Sequence, residues 1–195
     1  MSGSDFVPAP HPDVKLTYDD FLLFPDDGKR HELIDGEHFV TPSPNTRHQA
    51  ISGNLYGLLW TWLRGRALGR LFYAPFDVVF SNFDVVEPDL LYVSKARESQ
   101  VLTNAHVRGA PNLVVEIGSP STRQRDETIK RRLYERFGVD EYWVIDPELE
   151  RIAIYRPAGE SYERVADLWR ERDEQLTSSL FAGLTLALSD IFATD

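Results

Sequence analysis

The sequence predicts an α/β fold in which helices flank a central sheet of mixed strand direction. Three observations predict it. Short apolar runs rich in β-branched and aromatic residues, Leu90-Leu91-Tyr92-Val93 and Leu113-Val114-Val115 foremost, have the length and patterning of buried strands. Longer segments, about Thr46 to Leu63 and Arg123 to Phe137, carry apolar residues at helical spacing. The two kinds of segment interleave along the chain, which is the order of a layered α/β domain.

The elements follow in order. Residues 1–15, with three prolines in the first twelve positions, read as a loose arm, and residues 16–195 as a single domain. Thr17 caps a short helix to about Phe24, with Asp20 three residues on. His31–Asp35 and Glu37–Thr41 form a hairpin around Asp35-Gly36, a strong two-residue turn signal. The helix from about Thr46 carries Leu55, Leu58, Leu59 and Trp62. Within it Gly53 and Gly57 each cost about 1 kcal/mol relative to alanine, so they are expected to admit another backbone. Strands are predicted near Arg70–Tyr73, Asp77–Phe80, Val85–Val86 and Asp89–Val93. A loop from about Lys95 to Ala110 then leads to the strand ending at Glu116. After the second long helix, Glu141–Ile145 and Arg151–Tyr155 read as strands joined through Asp146-Pro147. Short strands near Tyr162–Val165 and Gly183–Leu188 complete the set.

Composition narrows the class of function. The chain has no cysteine, which removes disulfides and thiolate metal sites. No apolar run approaches the ~18 residues of a membrane span, so no membrane partner and a cytoplasmic location are expected. The net charge of −10 opposes a polynucleotide partner, but its distribution is uneven. Residues 41–75 carry +4 with no acid at all, and residues 101–137 carry +3. Two basic segments therefore flank a central acidic stretch, which permits a phosphate-binding face.

That stretch holds the most informative residues. Asp89 opens the strand Leu90–Val93, and Glu116 closes the strand Leu113–Val115. Two ionised carboxylates at the ends of adjacent buried strands are expensive to desolvate unless a cation neutralises them. A hard divalent ion such as Mg²⁺, or Mn²⁺, suits an oxygen site of this kind. The bland alternative makes Asp89 a strand-entry residue and Glu116 a solvent-facing cap.

A lysine adds to the pattern. Ser121 with Gln124 fits a capping box, and Gly138 suits the position past the helix end. Ile129, Leu133, Tyr134 and Phe137 fall within a stripe roughly 140° wide, with Lys130 near its middle and Asp126 also on it. A lysine facing the core wants a partner. One reading is an Asp126–Lys130 pair at i,i+4, worth a few tenths of a kcal/mol. The other is a cation aimed at Glu116.

Five blocks in order carry a family resemblance. They are Arg30-His31-Glu32-Leu33-Ile34-Asp35-Gly36-Glu37, Pro42-Ser43-Pro44 with Arg47-His48, and Glu87-Pro88-Asp89-Leu90-Leu91-Tyr92-Val93. The run Gly109 to Thr122 and the run Lys130 to Pro147 complete them. Together they resemble a bacterial family of putative endonucleases in the PD-(D/E)XK, restriction-endonuclease-like superfamily, over roughly Leu16 to Pro157. The resemblance implies a restriction-endonuclease-like core, a mixed central β-sheet flanked by helices. It also implies metal-dependent endonuclease activity on nucleic acid, with DNA as the substrate.

Carried over by position, Asp89 matches the first acid of the motif and Glu116 the second, while Glu32 matches an acid on the early element. Mg²⁺ (or Mn²⁺) is then expected on Asp89 and Glu116, with the carbonyl of Ile117 as a further ligand. The sequence departs from the pattern at Gly118, where the superfamily has its lysine. Lys130 is the candidate replacement, acting with Glu32, Asp89 and Glu116 as the catalytic set. Arg47, His48 and Arg123 are the candidate substrate-binding residues. Two other readings stay open: a nuclease-fold binding module that no longer cuts, motivated by Gly118, and a small-molecule phosphodiester hydrolase, motivated by the acidic total charge. Trp60, Trp62 and the frequency of two-fold symmetry lead to a homodimer as the expected assembly.

Overall fold

A computed structural model describes residues 14–41, 43–118 and 125–194. The alternation of helices and strands resolves into two main sheets. The larger has six strands in the order β11-β10-β9-β8-β6-β3. These are β3 (Gly69–Tyr73), β6 (Leu90–Ser94), β8 (Leu113–Ile117), β9 (Glu141–Asp146), β10 (Arg151–Ala158) and β11 (Ser161–Trp169). Only β8 and β9 run parallel within it; the other neighbours are antiparallel. The sheet of mixed direction is therefore present, with the expected strands at its centre.

The second sheet, in the order β2-β1-β5-β4-β7, contains β1 (Arg30–Ile34), β2 (Glu37–Thr41), β4 (Val78–Ser81), β5 (Asp84–Val86) and β7 (Val107–Arg108). Its hairpin turns on Asp35 and Gly36, with φ of 53° and 75°, so glycine occupies a position that disfavours a side chain. Two short strands, β12 (Gln175–Leu176) and β13 (Leu186–Ala187), pair near the C-terminus.

Period-two alternation sorts the six-stranded sheet into two apolar faces. Leu90, Tyr92, Leu113, Val115 and Ile117 meet Ile51, Leu55, Leu59 and Leu63 of the helix α2 (Thr46–Leu63). Leu91, Val93 and Val114 face the other way, onto Leu133 and Tyr134 and onto Ile34, Val78 and Val86 of the second sheet. That second face belongs to a layer enclosed on both sides, and the site lies at its edge.

Several expectations are corrected. The first helix, α1, spans only Tyr18–Phe21, although its Thr17–Asp20 capping box is present. The predicted loop after Lys95 contains the short helix α3 (Glu98–Val101) and β7. Of the predicted strand Gly183–Leu188 only Leu186–Ala187 is strand, and Leu188 begins a short helix. Among the described residues no backbone approaches Gly53 or Gly57: they border an open groove beside Leu58, Trp62, Arg66 and Asp190. The arm at residues 1–13, the Ser121–Gln124 capping box and Arg123 lie outside the described residues. No helix among the described residues is long and apolar enough to cross a membrane.

Candidate active site

The site forms where β1, β6, β8 and the helix after Asp126 converge. Asp89 precedes β6 by one residue. The antiparallel register pairs Leu90 with Val115, so the next step along the two strands sets Asp89 across from Glu116. Both carboxylates are buried, each 3% exposed. Asp89 Oδ2 accepts the backbone N–H of Ile117 at 2.7 Å, which ties the two strand ends together.

β1 contributes Arg30 and Glu32, which share a face by alternation. Glu32 is wholly buried, and its Oε1 accepts from the Glu87 backbone N–H at 3.1 Å and from Lys130 Nζ at 2.7 Å. Its Oε2 accepts no hydrogen bond from the described residues, and the Arg125 guanidinium lies 3.6 Å away. Arg30 bridges two acids: Nε is 2.7 Å from Glu87 Oε1, and Nη1 donates to Asp89 Oδ1 at 2.9 Å.

Lys130 reaches this group from the helical side. Its segment opens with a π-turn over Asp126–Lys130 and continues as an α-helix, α4, over Arg131–Phe137, ended by Gly138 in the left-handed conformation. Single π-turns recur at functional sites because the extra residue re-aims the side chains around it. Lys130 is 1% exposed, and its Nζ also donates to Glu116 Oε1 at 2.9 Å. Ile129, expected on the buried stripe, is 40% exposed, since the widened turn changes the helical phase that regular spacing assumes. Tyr134, one turn after Lys130, donates its hydroxyl to the same Glu116 Oε1 at 2.5 Å.

The electrostatics follow from burial among like charges. Burial pushes the Glu116 carboxyl up, Lys130 opposes that shift, and Asp126, Glu32 and Asp89 reinforce it. Burial would lower the Lys130 ammonium, but Glu116 and Glu32 outweigh it and raise its pKa. Both shifts favour the protonated form. Lys130 therefore stays an ammonium, because a neutral amine beside Glu32 and Glu116 would leave their charge uncompensated. For Asp89, burial raises the pKa but is overcome by His48, Arg30 and the Ile117 N–H, which bring it down to about 2. Burial next to Glu116 drives the Tyr134 phenol far above its ordinary range, so it stays a donor.

The remaining sequence-predicted residues divide. Asn45 caps α2 by accepting the His48 backbone N–H at 2.9 Å, and this places the His48 ring at the site. His48 Nε2 lies 3.1 Å from Asp89 Oδ2, so its partner is a carboxylate. Arg47 turns away, onto Glu150 and the Phe192 carbonyl, and pins the C-terminal segment. Arg30, Glu87, Arg125 and Tyr134 were missed as site residues. Two had a signal: Arg30 lies two positions before Glu32 on a strand, and Tyr134 four after Lys130 on a helix.

Residues 18–189 match the family described as "Putative restriction endonuclease", Uma2. The chain belongs to this family. Among solved structures the chain is similar to a putative nuclease belonging to DUF820 from Anabaena variabilis, with 24% identity and a TM-score of 0.75. That similarity covers 91% of this chain and 97% of the other, and it shows that the two share a fold. No curated protein matches the chain. In this chain Asp89 and Glu116 lie on the neighbouring strands β6 and β8, and Glu32 from β1 and Lys130 from the helical segment meet beside them.

Proposed function

We propose that the chain is a metal-dependent endonuclease that hydrolyses phosphodiester bonds in DNA, and that Asp89 and Glu116, with the carbonyl of Ile117, hold Mg²⁺ or Mn²⁺. The observation that carries this reading is the Lys130 ammonium. It comes from the helix to lie 2.9 Å from Glu116, although Gly118 stands where the superfamily has its lysine. A purely structural helix surface has no reason to bury that charge.

The donor set fits a hard divalent ion in its chemistry. Four acids, Glu32, Glu87, Asp89 and Glu116, gather around Arg30 and Lys130, and Glu32 Oε2 is buried without a hydrogen bond from the described residues. Among the described residues no three His, Cys, Asp or Glu side chains converge on one point, so the protein supplies part of a coordination shell. An ion held by Asp89 and Glu116 would supply Lewis acidity toward a phosphoryl oxygen and a bound water. Lys130 supplies a fixed positive charge at the oxygen that gains charge as the phosphate is attacked. Glu32 and Glu116 hold that ammonium in place. Tyr134 fixes the Glu116 carboxylate, and His48 with the Ile117 N–H fixes Asp89. A DNA substrate puts this work in the cytoplasm. For assembly we infer a homodimer whose second copy covers Trp60, which is 46% exposed, and the groove lined by Leu58 and Trp62, where Arg66 and Asp190 offer opposite charges to the same pair in the partner.

The test is supercoiled-plasmid nicking by wild type, Asp89→Asn and Glu116→Gln in Mg²⁺, in Mn²⁺ and in EDTA. Cleavage by wild type alone, and only with the ion, is the expected result. A binding module without cleavage is the second reading, favoured by the Arg30 contact with Asp89; salt-sensitive DNA binding with no nicking under either ion selects it and refutes the nuclease. Turnover of small phosphodiesters without polymer affinity selects a small-molecule hydrolase instead.

A further inference from the structure

Arg30 sits where a cation on Asp89 belongs. Its Nη1 is 2.9 Å from Asp89 Oδ1, and the other oxygen, Oδ2, is already taken by the Ile117 N–H at 2.7 Å and by His48 Nε2 at 3.1 Å. Both oxygens of Asp89 are therefore engaged among the described residues, and the contact on Oδ1 is the guanidinium. The guanidinium is itself braced: Nε lies 2.7 Å from Glu87 Oε1, and its side chain is 15% exposed. An arginine of this kind is always charged, so the positive end cannot be removed by a shift in pH. It has to move.

We propose that Arg30 is the resident counter-ion of the Asp89 carboxylate, that a divalent cation enters only by displacing its guanidinium, and that Arg30 thereby sets the cation's affinity. This rests on the reading of Asp89 and Glu116 as the ion-holding pair. Glu87 gives the displaced group somewhere to go, because Nε stays anchored while Nη1 swings off Asp89. The arrangement keeps buried carboxylates neutralised before the ion arrives, which an open cluster of acids does not. It also explains why no three-ligand set converges among the described residues: the strand ends are held by arginine.

The experiment titrates Mn²⁺ into the intact metal-free chain, read by electron paramagnetic resonance of the free ion and by calorimetry. Wild type, Arg30→Gln, Arg30→Lys and Asp89→Asn are compared, each first checked by far-ultraviolet circular dichroism in EDTA. Removing a unit positive charge next to the ion and freeing Oδ1 should tighten Mn²⁺ about tenfold or more in Arg30→Gln. Arg30→Lys keeps the charge without the two-point grip, and should fall between. A measurement on the wild type guards against misfolded variants. The Arg30 Nε–H resonance should exchange slowly with solvent in EDTA and shift on addition of Mg²⁺. Wild type that binds Mn²⁺ through Asp89, with Arg30→Gln unchanged or weaker and no shift of the Nε–H signal, overturns the Arg30 proposal and leaves the ion site standing. Wild type that binds no tighter than Asp89→Asn overturns the ion site, and the proposal with it.

Discussion

Lys130→Met should cost stability in a way that depends on pH. As an i,i+4 partner of Asp126, Lys130 would be worth a few tenths of a kcal/mol, and its loss would leave the fold untouched. Its burial changes the estimate. The ammonium is 1% exposed and lies 2.7 Å from Glu32 and 2.9 Å from Glu116. Breaking a buried ion pair by deleting one partner costs about 3–5 kcal/mol, because the other charge remains uncompensated. Glu116 has an escape, which is to bind a proton. Its pKa is already raised by burial, and Lys130 holds it down; without the lysine it rises further. A carboxyl whose folded pKa lies above its unfolded value contributes stability that is whole below the unfolded pKa, about 4.5, and is lost as pH rises. The variant loses more of it than wild type, at up to about 1.4 kcal/mol per pH unit. Both proteins lose it in parallel until pH passes the wild-type Glu116 carboxyl at about 8, so the gap between them should be roughly constant below that and about 1 kcal/mol wider near about pH 9 than near about pH 7. Urea unfolding in EDTA, followed by tryptophan fluorescence at both pH values, measures it. Cleavage under Mg²⁺ should fall about a hundredfold or more even where the variant is folded. A gap below about 1 kcal/mol that does not change with pH would refute the reasoning, since it would put the ammonium in water and out of reach of the site.

Three further outcomes follow from other parts of the molecule. Asp89→Asn in EDTA should flatten the acid limb of the stability curve: a carboxyl lowered from 3.8 to about 2 adds about 2.5 kcal/mol above pH ~4 that is lost as pH falls through about 2. An acid limb identical to wild type by urea titration would deny Asp89 its partners. Gly69→Ala should destabilise strongly, by about 3 kcal/mol or more, because φ is 152° there and a Cβ would collide with the Val93 carbonyl across the β3–β6 pair; unchanged thermal melting would contradict that register. Light scattering at tens of micromolar should give a homodimer mass, and Trp60→Ser should shift it toward monomer; a monomer mass for the wild type would discard the dimer.

How legible the molecule was depended on how local the governing physics is. The helix Thr46–Leu63 and the Asp35-Gly36 hairpin obey short-range rules, capping by Asn45 and the positive φ that a tight turn requires, and they appear where the sequence put them. Strands β6 and β8 were legible because full burial leaves runs with no polar interruption. α3 and β7 were not, because elements of four and two residues carry too few positions to establish a period. The predicted C-terminal strand shrank to Leu186–Ala187 because Leu188 and Ile191 pack into the core beneath α2 as a helical turn, a tertiary preference that local propensity does not encode.

The site divides along the same line, and the division says something about acids and bases in sequences. Asp89, Glu116 and Glu32 stood out because a carboxylate beside an apolar run is costly and so demands a cause. Lys130 stood out for the same reason on a helix. Arg30 did not, because an arginine on a strand next to a hairpin reads equally well as solvated surface, and only the three-dimensional pairing with Glu87 and Asp89 removes that option. Arg47 misled in the opposite sense: beside His48 in a segment without acids it looked free to meet phosphate, yet Glu150, some hundred positions later, holds it. Buried acids announce their need for a cation, but the sequence does not say which cation answers. Here the lysine that answers Glu116 was found by its facing, and the arginine that answers Asp89 only by its contacts, which is why the affinity of the site for a divalent ion is a question about Arg30 as much as about the carboxylates.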